Sequence, residues 1–122
     1  MSGKTKQKTI AVTAYKMRTK GAELSSIRDF VSDKFQIFNI SKSQIFILIL
    51  AGYYETVTSL KHGSISIRAY ELKDMYGLKK KQIRNMLRHE YSLPDLNKFE
   101  TGCLMCAGAV EFEILYRKNR RV

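Results

Sequence analysis

The chain has 122 residues, 44% hydrophobic and 27% charged, with 22 Lys and Arg against 11 Asp and Glu. This composition fits one globular domain and excludes a low-complexity chain; no apolar run is long enough to span a bilayer, and two cysteines exclude a disulfide framework. A net charge of +11 and a pI near 9.8 imply an anionic partner: nucleic acid first, then an acidic membrane surface or an acidic protein.

Residues 1–8 (MSGKTKQK) are basic and read as a disordered arm, either a solvated tail or one that follows a phosphate backbone. Their lysines precede no apolar core segment, so no secretory signal is expected and a reducing cytoplasm is. In 9–17, Ile10, Val12 and Ala14 alternate with Thr9, Ala11, Thr13 and Tyr15, which predicts a short strand. After Gly21, the spacing of Leu24, Ile27, Val31 and Phe35 predicts an amphipathic helix over 23–35. Ser41 or Ser43 is placed to cap the next element. Residues 44–57 (QIFILILAGYYETV) are apolar nearly all round, which predicts a helix buried in a core or a subunit interface, although a central strand has the same profile. Residues 64–67 (SISI) read as a very short strand.

Next comes the stretch that organises the rest, 68–91 (RAYELKDMYGLKKKQIRNMLRHEY). Leu72 and Tyr76 share one face of a first helix, Gly77 supplies the turn, and Leu78, Ile83, Met86 and Leu87 line a second helix. This is helix-turn-helix spacing. The polar side of the second helix carries Lys79, Lys80, Lys81, Arg84 and Arg88 with Gln82 and Asn85, and no acid before Glu90. A merely solvated helix gains by mixing signs at i and i+4, so a one-sign face points to a polyanion. Pro94 stops the helix. Lys98–Cys106 and Val110–Arg117 then read as two strands of a β-hairpin around Ala107-Gly108-Ala109, and 117–121 add four more cations. No internal repeat and no domain-separating linker is visible in this reading.

That order of elements resembles the winged helix-turn-helix superfamily over 43–118, nearest in layout to MarR-like transcriptional regulators. SKSQIFILILAGYYE is similar to their opening helix. ELKDMYGLKKKQIRNML is similar to their helix-turn-helix, with Leu72, Tyr76, Leu78, Ile83 and Met86 at buried positions. The chain departs from the pattern at Lys73, where the family has a small residue, and at Lys79, where it often has Ser or Thr. A second resemblance, to ribbon-helix-helix repressors, rests on TIAVTAY and NISKSQIF; it would place Thr9, Ala11 and Thr13 against base edges.

Other chemistry finds little support. Cys103-x-x-Cys106 is half a zinc site, with His62 and His89 too far away in sequence to complete it. The acidic residues form no closely paired set for acid–base catalysis, and no phosphate-cradling loop or nucleophile elbow is present. Tyr53, Tyr54 and Tyr70 are read as core rather than as an effector pocket. The expectation is therefore an α+β winged helix with no enzymatic activity and no cofactor, in which 9–42 dimerises and 43–122 binds double-stranded DNA as a transcriptional regulator. Lys79, Lys80, Lys81, Gln82, Arg84, Asn85 and Arg88 are the expected contacts, with Arg68 on a phosphate and Arg117 and Lys118 on a wing. A partition or replication protein would use the same surface. An RNA-binding module and a protein adaptor are the alternatives of other classes.

Overall fold

The computed structural model describes residues 9–58 and 63–120, with side chains up to Ile114 in the last helix; the arm at 1–8 lies outside the described residues. Among the described residues six helices account for the architecture: α1 (Ile10–Thr19), α2 (Leu24–Phe35), α3 (Lys42–Val57), α4 (Ile65–Asp74), α5 (Lys80–Glu90) and α6 (Lys98–Arg120). The two long helices, α3 and α6, pack on each other. α1 lies along α3 and α4 along α6, while α2 and α5 close the flanks.

No strand occurs among the described residues, so the expected α+β winged helix is overturned. The four segments read as strands are helical, in three helices that each start for a local reason. Thr9 Oγ1 accepts the Val12 N–H at 3.1 Å and starts α1, whose buried residues are Ile10, Ala11 and Ala14, an i, i+1, i+4 stripe. Ser64 Oγ does the same for Ile67 at 3.2 Å, so SISI is the first turn of α4. Asn97 Oδ1 accepts the Glu100 N–H at 2.8 Å, and Glu100 Oε1 accepts the Asn97 N–H at 3.0 Å. That reciprocal pair opens α6, which runs through both expected hairpin strands and their turn. The ribbon-helix-helix alternative fails with the strand it needed at 9–17.

Other expectations hold. α2 and α3 form where the periodicity placed them, and Ser41 rather than Ser43 caps α3 in a capping box with Gln44. Within the helix-turn-helix stretch, Leu72 and Ile83 are buried and Leu78 and Met86 partly so, but Tyr76 is 65% exposed because α4 ends at Asp74.

The structure also brings out an internal repeat that the sequence reading missed. The second half follows the first at 55 residues in its first helix (Ile10 to Ile65) and 56 thereafter (Gly21 to Gly77). Thr9-Ile-Ala-Val-Thr-Ala-Tyr15 answers Ser64-Ile-Ser-Ile-Arg-Ala-Tyr70. Gly21 and Gly77 both end the first helix at positive φ (94° and 65°), and Gln36 and Ser92 share a left-handed φ (55° and 56°) after the second. Buried Ile27, Val31, Ile40, Leu48 and Ala51 correspond to buried Ile83, Leu87, Leu96, Leu104 and Ala107.

The close helix crossings repeat as well. A Cβ at Gly52 would overlap the Ala11 carbonyl oxygen and meet Tyr15; one at Gly108 would overlap the Ser66 carbonyl oxygen and meet Tyr70. Three residues beyond each of these glycines stands a buried carboxylate that reaches into the opposite half. Glu55 Oε2, from α3, accepts the Ser66 N–H at 3.1 Å and the Ser64 hydroxyl at 2.6 Å at the start of α4. Glu111 Oε2, from α6, accepts the Ala11 N–H at 3.0 Å at the start of α1. Each half thus caps the first helix of the other. Reciprocal contacts of this kind are the mark of an approximate two-fold arrangement, here within one chain. The buried residues of α1 and α2 pack against α3 of the same chain.

Candidate nucleic-acid interface

The basic helix is held from behind. Ile83 and Leu87, four residues apart, are buried and anchor α5 against α4 and α6. With that stripe turned inward, Lys79, Lys80, Lys81, Gln82, Asn85 and His89 are exposed, and Arg84 and Arg88 are half-buried. The Gly77 turn sets the angle at which the helix leaves α4: Gly77 N–H bonds to Lys73 O at 3.0 Å and Leu78 N–H to Leu72 O at 3.1 Å. Lys79 has no capping oxygen to offer the first-turn N–H groups, while Gln82 Oε1 accepts the N–H of Lys79 itself at 2.9 Å. The side-chain oxygen of this expected base reader therefore closes the first turn of the helix.

The remaining expected contacts, Arg68, Arg84, Arg88, Arg117 and Lys118, are placed differently. Arg68 makes a two-pronged ion pair with Glu90, Nε to Oε1 at 3.0 Å and Nη2 to Oε2 at 2.9 Å, which ties α4 to the end of α5. The Glu90 carboxylate raises the Arg68 pKa further, and the guanidinium is turned to protein rather than presented to a phosphate. Arg88 Nε donates to the Leu96 carbonyl at 2.8 Å, which fixes the following loop while the rest of the guanidinium stays half-exposed. Arg84 has a buried Nε that meets no protein acceptor. Arg117 and Lys118 lie on α6 instead of on a wing, and their side chains are outside the described residues.

Lys80 lies across α6: its amine would stand 3.2 Å from a Cβ placed on Gly102. The residues that this helix and its cap expose together are thus Lys79, Lys80, Lys81 and Asn85, with Arg84 half-buried beside them and Gln82 and Arg88 hydrogen-bonded within the fold at the margins.

The matching helix of the first half has a different surface. α2 starts at Glu23 and carries Arg28, whose Nε lies 3.6 Å from the Asp29 carboxylate. Lys34 stands over the rings of Phe30 and Phe35, at 5.9 and 6.0 Å.

Sequence reasoning overlooked the two buried glutamates. Burial pushes the Glu111 carboxyl up to about 7, and the Ala11 hydrogen bond pulls the other way. The signal was present as Ala51-Gly-Tyr-Tyr-Glu55 and Ala107-Gly-Ala-Val-Glu111, one spacing met twice. The two cysteines fall on α6, Cys103 buried with its thiol pKa raised by that burial, Cys106 exposed. Among the described residues no group of three His, Cys, Asp or Glu gathers as a metal site, and no helix is long and apolar enough to cross a membrane. Comparison with protein-family models, with curated proteins and with solved structures finds no match to the chain.

Proposed function

We infer that the chain binds double-stranded DNA sequence-selectively through α5, in the manner of a transcriptional regulator. The observation that carries this reading is the one-sign exposed side of a helix whose inner face is locked: Lys79, Lys80 and Lys81 are exposed and Arg84 and Arg88 half-buried, while Ile83 and Leu87 are buried. Lysines supply phosphate contacts, and Arg84 and Asn85 are of the types that read guanine and adenine edges in the major groove. Glu90, the acid that closes the helix, faces Arg68 and so does not oppose an approaching phosphate. A partition or replication role would use the same surface.

Titration of the full chain with duplex DNA and with structured RNA, at matched salt, tests this. Preference for one duplex selected from a random pool supports the reading. Equal or tighter binding to structured or single-stranded RNA contradicts it, because an A-form major groove does not admit a helix.

A further inference from the structure

A pair of half-site-reading subunits carries the same recognition helix twice, and the two helices read half-sites about 34–36 Å apart. This chain holds one such helix in each half, α2 standing in the first repeat where α5 stands in the second. Their outer faces have diverged. Where α5 has Lys79, Lys80, Lys81, Asn85 and Arg88, the corresponding positions hold Glu23, Leu24, Ser25, Asp29 and Ser32. The one cation kept is Arg28, the counterpart of Arg84, and it lies beside the Asp29 carboxylate. The buried positions, the glycine crossings and the carboxylate caps were kept meanwhile. The scaffold is two-fold and the charge is one-sided.

We propose that the DNA target is asymmetric: one chain engages one major-groove segment through α5, and the α2 face stays off the duplex. This rests on the α5 reading above and specifies its ligand. A phosphate backbone laid along α2 as along α5 would meet Glu23 and Asp29 where α5 offers Lys79 and Asn85, and like charges in contact with no counter-ion between them oppose docking. No second copy is required to complete the fold, because the apolar side of α1 and α2 is covered by α3 of the same chain.

The test is a hydroxyl-radical footprint of the full chain on its selected duplex, with stoichiometry from native mass spectrometry. The expected result is one chain per site and one protected segment. Lys81→Ala should weaken binding by about tenfold and Arg84→Ala by at least as much, whereas Arg28→Ala should change it by less than about twofold. Changing Glu23→Lys and Asp29→Asn together should tighten binding and extend the protected segment. Two equivalent protected segments related by a dyad, two chains per site, or equal losses from Arg28→Ala and Arg84→Ala would overturn the asymmetric target while leaving α5 as a DNA helix. Absence of any duplex binding would remove the α5 reading and this inference together.

Discussion

Glu111 combines two opposing effects in one side chain. Burial disfavours its charged form, while the Ala11 N–H favours it, and burial wins: the carboxyl sits at about 7 against an ordinary 4.5. A carboxyl raised by folding holds its proton more tightly in the native state than in the unfolded chain. Its favourable contribution is complete below about pH 4.5 and is lost as pH climbs through about 7. Wild-type protein should therefore lose stability relative to Glu111→Gln across that window, by on the order of 2 kcal/mol. Urea unfolding at pH 4.5, 6 and 7.5 measures this, and parallel trends for the two proteins would contradict it. Arg68 offers a contrast in the same size range. Its pair with Glu90 is partly solvated, so Arg68→Ala should cost about 1 kcal/mol of stability. The same change should leave the salt dependence of duplex binding unaltered; a shallower dependence would return Arg68 to the interface.

At the scale of elements, backbone approach decides what periodicity left ambiguous. Ile10 to Ala14 and Val110 to Ile114 alternate as strands do, yet both lie where a neighbouring helix comes close over a glycine. A period of two over five residues is too short to compete with a capped N-terminus and a long-range contact that no window of sequence contains. α2, α3 and α5 were legible because their apolar stripes continue for three turns or more and because Ser41 stands in place as a cap. The basic face of α5 was legible for the same reason. The pairing of Arg68 was not, since Glu90 lies 22 residues further along the chain. Two glycines of α6 separate these effects. Gly108→Ala places a methyl against the Ser66 backbone, which cannot yield, and should cost about 2–4 kcal/mol. Gly102→Ala meets only the mobile amine of Lys80 and should be neutral or stabilising by up to about 1 kcal/mol through better helix propensity. Urea midpoints that move alike for the two variants would refute the close crossing.

Over the whole molecule, the repeat accounts for most of what the winged-helix resemblance tried to explain. The strand and extra helix of that layout become the first two helices of one half and its wing the third helix of the other, the halves interlocked through Glu55 and Glu111. The repeat escaped sequence reading because its identities are few and spread over 55–56 residues, and because the outer faces of α2 and α5 share almost nothing. What was kept is what packs; what diverged is what meets solvent. On the two matching helices the charge differs: α5 and its cap carry Lys79, Lys80, Lys81, Arg84 and Arg88 against Glu90, whereas α2 carries Arg28 and Lys34 against Asp29 and Asp33. The central claim is that phosphates gather on α5. The logarithm of duplex affinity against the logarithm of salt concentration measures this most directly, for wild type and for Lys79→Ala with Lys81→Ala. The account predicts a steep wild-type line whose slope falls by about 2 in the double variant. An unchanged slope, or the same loss from Lys34→Ala on α2, would contradict it.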